Sequence, residues 1–220
     1  MTELPIRVFI VDDHPLVREW LAVLLRQQAG LKICGMAENA KIALAQMGEA
    51  ATEVAIVDLS LKEGDGLDLI KNLNLLYPKL KVVVFSMHEE IFYVERAFRA
   101  GAHGYVTKRE STGRIVEAIH AVRNGQMYAN PEILGLLTKR LVVLPKDGPL
   151  NPAETLSDRE LHVFRRMGEG WQTRRIADEI CVSMKTVQTY CARIKEKLGL
   201  DNATELSREA VLWVKQETHH

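Results

Sequence analysis

Three aspartates, a serine and a lysine carry the chemistry that this sequence offers most plainly. Asp12 and Asp13 follow the apolar run Ile6–Val11, Asp58 follows Val54–Val57, Ser86 follows Lys81–Phe85, and Lys108 lies just past Ala102–Val106. Carboxylates gathered in one place repel one another unless a cation joins them. A set of oxygen ligands suits Mg2+, which takes a few carboxylates and completes its shell with water and phosphate oxygens. A lysine and a hydroxyl beside such an ion can hold phosphoryl oxygens. Together these groups could hold a divalent cation and phosphoryl oxygens, provided that one fold brings all five residues to one edge. His14, next to the aspartate pair, reads as the start of a helix rather than as a metal ligand.

The elements that must do this positioning are legible as a rhythm. The five apolar runs, with Leu31–Met36 as the second, are short and mostly β-branched or aliphatic, as strands buried on both faces of a parallel sheet are. Amphipathic segments at about 15–28, 39–50, 66–77, 89–100 and 111–124 alternate with them. Parallel strands need a crossover, and helices supply it, so the pattern predicts a five-stranded parallel α/β sheet, doubly wound and flavodoxin-like. Functional groups in such sheets gather beyond the carboxyl ends of the strands, which is where the five residues fall.

From Gly125 to Thr155 the rhythm is lost, and Pro131, Pro145, Pro149 and Pro152 collect there. Proline removes hydrogen-bond donors and stiffens the backbone, so this stretch reads as a linker, with a helix suggested by Ile133, Leu134, Leu136, Leu137 and Leu141. Everything beyond it looks helical. Ser157 and Glu160 have capping-box spacing, and Leu161, Phe164 and Met167 form an apolar stripe that Gly168 and Gly170 end. Gln172–Ile180 follows, then a short turn. Ser183 caps a longer helix with Val187, Cys191, Ile194 and Leu198 facing inward until Gly199. Asn202 and Glu205 repeat the capping arrangement for a last helix to about Lys215. The division expected is a domain over 1–124, a linker over 125–155 and an all-α domain over 156–218.

Composition narrows the function classes. A chain of 220 residues that is 47% hydrophobic and 26% charged has the material for two ordinary globular cores. No run approaches the roughly 20 apolar residues of a membrane span, and the first residues lack the layout of a signal peptide, so a cytoplasmic protein without membrane partners is expected. Cys34, Cys181 and Cys191 are too far apart and too few for a disulfide framework. Zero net charge excludes nucleic-acid binding through a whole-surface positive field. A local patch remains, where Arg174, Arg175, Lys185, Arg193, Lys195 and Lys197 outnumber Asp178, Glu179 and Glu196.

The motifs Val11-Asp12-Asp13-His14, Asp58-Leu59, Asp65-Gly66, Ser86 and Gly104-Tyr105-Val106-Thr107-Lys108, spread over about residues 5–124, resemble the receiver domains of two-component response regulators. The resemblance implies that Asp58 accepts a phosphoryl group from a sensor histidine kinase. It also implies that Asp12 or Asp13, Asp58 and the backbone carbonyl of Ser60 hold Mg2+, that Lys108 and Ser86 contact the phosphoryl group, and that Tyr105 turns inward when Ser86 moves. Many receivers carry proline four residues after the acceptor and again after the lysine. This chain has Lys62 and Arg109 there, which frees the first backbone position and leaves the isomer of the Lys108–Arg109 bond to be established.

Leu156-Ser157-Asp158-Arg159-Glu160 through Lys197-Leu198-Gly199-Leu200 resembles the LuxR-type helix-turn-helix of the NarL/FixJ subfamily. Double-stranded promoter DNA is then the partner, with the helix after Ser183 in the major groove. Helical period turns Lys185, Gln188, Thr189, Ala192 and Arg193 outward. Gln188 suits adenine edges, Thr189 and Ala192 suit a thymine methyl, and Lys185, Arg193 and Lys195 suit phosphates, with Ser183 and Thr186 at the helix start. Relatives often carry Val-Lys-x-His where this chain has Val187-Gln188-Thr189-Tyr190, one basic residue fewer. The last helix, through Leu206, Ala210, Val211, Trp213 and Val214, is expected as the contact of an active homodimer, and RNA polymerase is a further partner consistent with the family. Two alternatives stand beside this: a Mg2+-dependent phosphohydrolase with Asp58 as transient nucleophile, distinguished by turnover, and a receiver that works without phosphorylation.

Overall fold

In the computed structural model, which describes residues 4–62, 65–89, 91–131, 133–135 and 152–218, five parallel strands form where the apolar runs lie. They are β1 (Ile6–Val11), β2 (Leu31–Ala37), β3 (Val54–Val57), β4 (Lys81–Ser86) and β5 (Gly104–Thr107), in the spatial order β2-β1-β3-β4-β5. Every neighbouring pair is parallel, and the crossovers are α1 (Pro15–Arg26), α2 (Ala40–Met47), α3 (Gly66–Leu76) and α4 (Ile91–Arg99), with α5 (Thr112–Arg123) after β5. The two-residue period of a strand then fills both faces. Val8, Ile10, Val54, Ile56, Val83, Phe85 and Val106 pack with Leu21, Leu25, Ile115, Ile119 and Val122 of α1 and α5. The alternate residues Phe9, Val11, Val57, Val82, Val84 and Tyr105 are buried on the opposite face. This is the doubly wound α/β fold that the sequence predicts.

Strand β5 begins two residues later than its apolar run, because Ala102 N–H is spent on the Ala97 carbonyl at the exit of α4, at 2.9 Å. Beyond α5, within the stretch that reads as linker, Tyr128 bridges Gly104 in parallel: Tyr105 N–H donates to the Tyr128 carbonyl at 2.7 Å and Tyr128 N–H to His103 at 3.1 Å. The helix suggested over Ile133–Leu141 lies mostly outside the described residues. The chain divides into two compact units, Met1–Leu144 and Pro145–His220.

The second unit is helical throughout its described part: α6 (Pro152–Thr155), α7 (Asp158–Gly168), α8 (Thr173–Glu179), α9 (Met184–Leu198) and α10 (Ala203–Thr218). Its capping box is complete, with Glu160 N–H on Ser157 Oγ at 3.4 Å and Ser157 N–H on Glu160 Oε2 at 2.9 Å. Of the two glycines expected to end α7, only Gly170, at φ +83°, supplies the left-handed turn. Gly168 is still helical, and a Cβ there would stand 2.3 Å from the Ala210 carbonyl oxygen. Its role is to let α7 and α10 approach, with Phe164 and Trp213 rings tilted at 5.9 Å beside the contact.

Glu160 also ties α7 to α9, since Lys197 Nζ lies 2.6 Å from its Oε2. Burial disfavours the charged carboxylate, but Lys197 and Ser157 outweigh it and hold the pKa of Glu160 below its ordinary 4.5. A depressed acid stabilises the fold above its unfolded value, and that contribution is lost as pH falls through the folded value. We expect Glu160→Ala to cost about 2 kcal/mol at neutral pH, a figure kept modest because Lys197 is 41% exposed. Glu160→Gln should flatten the loss of urea resistance below pH 4.5, followed by tryptophan fluorescence; an unchanged acid limb would remove Glu160 as its source. Among the described residues no helix is long and apolar enough to cross a membrane.

Candidate functional site

The site residues are pinned by the backbone ladder just past the strand ends. Asp12 N–H donates to Ala37 of β2 at 3.1 Å, Asp58 N–H to Val11 of β1 at 2.9 Å, and Lys108 N–H to Ser86 of β4 at 2.7 Å. Each functional side chain therefore leaves a backbone already fixed to its neighbour. The loop after Asp58 is closed by Gly66, whose N–H reaches the Leu59 carbonyl at 3.2 Å. A Cβ on Gly66 would lie 2.6 Å from the Asp58 carbonyl oxygen, so any larger residue must displace the backbone at Asp58 and Leu59.

Lys108 Nζ sits 2.7 Å from both Asp12 Oδ2 and Asp58 Oδ2, with all three side chains buried. The other oxygens of these two aspartates accept backbone N–H groups, Asp12 Oδ1 from His14 at 2.8 Å and Asp58 Oδ1 from Ser60 at 3.1 Å. Asp13 differs: its side chain is 3% exposed and neither oxygen has a hydrogen-bond partner among the described residues. The nearest nitrogens are His14 Nδ1, 2.8 Å from Oδ1, and the Lys62 ammonium, 3.8 Å from Oδ2. Lys62 thus brings a charge to the pocket rim as well as relieving a proline constraint.

Burial raises the pKa of Asp58, and repulsion from Asp12 adds to this while Lys108 opposes it. Burial works against charged Lys108 too, but the attraction of Asp58 and Asp12 prevails and raises its pKa. Ligand atoms of Asp12, Asp13, His14 and Asp58 all lie within 4.8 Å of one another. Three buried carboxylates against one buried lysine, with no hydrogen-bond donor on either Asp13 oxygen among the described residues, fit a divalent cation. Asp12 already serves Lys108 and the His14 N–H, so Asp13 is the better placed of the pair to hold it.

Ser86 and Tyr105 meet at His88. Ser86 Oγ accepts the His88 N–H at 3.3 Å, and the Tyr105 hydroxyl, on a buried inward ring, donates to the His88 carbonyl at 2.8 Å. The His88 ring stacks on Tyr93 at 3.9 Å, and its Nε2 lies 3.0 Å from Ser60 Oγ. Nothing in the spacing of the sequence marks His88 for these contacts. Arg109 pairs with Glu89 at 3.2 Å on the surface, and its peptide bond to Lys108 is trans.

In the second unit, Val187 and Ile194 are buried, while Lys185, Gln188, Thr189, Ala192 and Arg193 are exposed and Lys195 is half-buried, as the helical period predicts. Ser183 Oγ accepts the Thr186 N–H at 3.1 Å and lies 2.9 Å from Thr186 Oγ1, so both hydroxyls are engaged in the cap of α9. Thr189 Oγ1 donates to the Lys185 carbonyl at 3.0 Å, which leaves its methyl as the group free for contact. Arg175, also exposed, lays its guanidinium 3.6 Å over Trp171. Leu206, Ala210 and Trp213 are buried against the unit's own helices, because α10 needs this face to close on α7. Val211 and Val214 keep partial exposure.

Comparison with known proteins matches the two units to two families. Residues 8–120 match "Response regulator receiver domain", and residues 154–210 match "Bacterial regulatory proteins, luxR family". The chain is a two-domain response regulator. It is 34% identical over 206 residues to response regulator GacA of Pseudomonas protegens, covering 94% of this chain and 95% of that one. It is 33% identical over 204 residues to the transcriptional regulatory protein UhpA of Escherichia coli, covering 92% and 96%. Among solved structures it resembles RcsB of Salmonella enterica serovar Typhimurium, described as bound to promoter P1flhDC in the presence of phosphomimetic BeF3-, with a TM-score of 0.58, 25% identity, and coverage of 93% and 98%. A response regulator of this make-up is a phosphorylation-dependent transcriptional regulator.

Proposed function

We propose that this response regulator takes its phosphoryl group on Asp58 from a sensor histidine kinase and thereby gains affinity for promoter DNA as a homodimer, with RNA polymerase acting at the same promoter. The observation that carries the reading is the Asp58 carboxylate itself: buried at the end of β3, 2.7 Å from Lys108, beside the buried Asp13, whose oxygens accept no hydrogen bond among the described residues. Asp58 attacks phosphorus and the phosphohistidine nitrogen leaves. Asp13, Asp58 and the Ser60 carbonyl would hold Mg2+, which would neutralise the incoming charge. Lys108 then follows the phosphoryl oxygens, which releases its hold on Asp12. Ser86 rearranges toward the same oxygens, and because it shares His88 with Tyr105, the movement is transmitted to a buried ring. The receiver occupies 1–124, with Tyr128 attached to its last strand, and the DNA-reading domain occupies 156–218.

Incubating the full chain with a small-molecule phosphodonor and Mg2+ should raise its intact mass by one phosphoryl group and tighten its binding to promoter DNA. Continuous turnover of donor with no lasting adduct would favour a phosphohydrolase instead. On the DNA side, Gln188→Ala should change preference at a base pair by about 1–3 kcal/mol. Arg193→Ala should weaken all sequences alike and lower the salt slope by about 1. Equal effects of both variants on matched and mismatched sites would displace Gln188 as a reader.

A further inference from the structure

We propose that Tyr128 is the positioning residue through which the Tyr105 switch acts on the chain leading to the DNA-binding unit. This rests on the reading above, in which Ser86 moves toward the phosphoryl oxygens and moves the Tyr105 ring through His88. The sequence alone places Tyr128 in a linker, whereas the structure places it on the sheet. Strand β5 is an edge strand, and Tyr128 is bridged to its Gly104 in parallel. The outer side of an edge strand offers N–H groups that no further strand satisfies, and a buried one is costly to leave unpaired. Tyr105, 1% exposed, spends its N–H on the Tyr128 carbonyl at 2.7 Å, and Tyr128 returns its own N–H to the His103 carbonyl at 3.1 Å.

Tyr105 is thus held at two ends. Its hydroxyl donates to the His88 carbonyl at 2.8 Å, in the loop whose other anchor is Ser86, and its amide donates to Tyr128. Tyr128 is fixed in turn from the α5 side. The chain leaves α5 through Gly125, at φ +80°, with the Gln126 N–H on the Ala121 carbonyl at 3.0 Å. The Tyr128 side chain packs against the core between the sheet and α5, and its hydroxyl donates to Glu117 Oε2 at 2.8 Å, the same oxygen that Arg114 meets at 3.0 Å. A shift of the Tyr105 main chain must carry Tyr128 with it, because the alternative is a buried amide without an acceptor. The movement is therefore passed to the residue from which the chain sets out for the second unit, and the Tyr128–Glu117 bond sets how firmly that residue stays in register with the switch.

The test phosphorylates the full-length protein with acetyl phosphate and Mg2+ and follows two readouts. One is amide hydrogen exchange at Tyr105 and Tyr128; the other is affinity for a DNA duplex selected from a random pool by the phosphorylated wild type. Phosphorylation is expected to shift the exchange of both amides in the same direction, by about tenfold or more. Tyr128→Phe removes the hydroxyl and keeps the ring, while Glu117→Ala removes its acceptor from an exposed helix face. Each should leave phosphoryl uptake, read as intact mass, unchanged and shrink the ratio of DNA affinities with and without the phosphoryl group by about threefold or more. The two together should shrink it no further than one alone, since both remove one bond. Exchange that shifts at Tyr105 and not at Tyr128, or a wild-type affinity ratio in both variants, overturns the proposal and leaves the Asp58 switch intact. A wild-type chain that takes up no phosphoryl group overturns the underlying reading as well.

Discussion

Asp58→Asn is expected to abolish phosphoryl uptake while leaving the receiver at least as stable as the wild type. The amide keeps the shape of the carboxylate and can still accept the Ser60 N–H, which reaches Oδ1 at 3.1 Å, but it is no nucleophile. Intact mass should therefore stay constant with phosphodonor and Mg2+, and DNA affinity should stop responding to the donor. Stability moves the other way for an electrostatic reason. Lys108 faces two buried carboxylates at 2.7 Å each, and Asp12 and Asp58 repel one another across it. Removing the Asp58 charge leaves the Lys108–Asp12 pair whole and relieves the burial of one ion. Without divalent metal we expect a gain of about 1–3 kcal/mol in urea unfolding. Mg2+ should narrow the difference, because it stabilises the wild type by binding its folded form. A phosphorylated Asp58→Asn variant would move the acceptor to another residue; a destabilised one would mean that Asp58 contributes more through Lys108 than it costs by burial.

The opposing signs at one pair explain how far the sequence could be read. Asp12, Asp58, Ser86 and Lys108 were legible because strand ends in a parallel sheet share an edge, and apolar runs mark those ends well. The division of work between Asp12 and Asp13 was not legible, because adjacent residues leave a strand in different directions and only coordinates show which one meets Lys108. Lys62 read as a missing proline, a backbone matter, yet its ammonium stands 3.8 Å from Asp13. His88 was missed because a single histidine in a loop has no spacing to announce its contacts with Ser60, Ser86 and Tyr105. The outward face of α9, which we propose reads DNA, was recoverable from period alone, since burial of Val187 and Ile194 dictates what points outward. The apolar face of α10 was not. Periodicity shows that Leu206, Ala210 and Trp213 need cover, and it cannot distinguish cover from α7 in the same chain from cover by a second copy.

Lys108→Ala should be the most destabilising substitution in the pocket, by about 3–5 kcal/mol without divalent metal. The side chain is 8% exposed, and its loss strands two carboxylate oxygens that no other cation is within 4.0 Å of among the described residues. Mg2+ should recover more stability in this variant than in the wild type, because the ion then carries the whole burden of neutralisation. Phosphoryl uptake should slow but persist, since the nucleophile and Asp13 remain. The decisive comparison is the double variant Lys108→Ala/Asp58→Asn. If Lys108 acts chiefly by offsetting the crowded aspartates, removing one of them restores much of the loss, and the two changes combine with a coupling of about 2 kcal/mol or more. Additive effects, with no coupling between the two changes, would assign the Lys108→Ala defect to packing of its stem against Phe85, over whose ring Nζ lies at 5.8 Å, and would detach the lysine from the charge balance of the site.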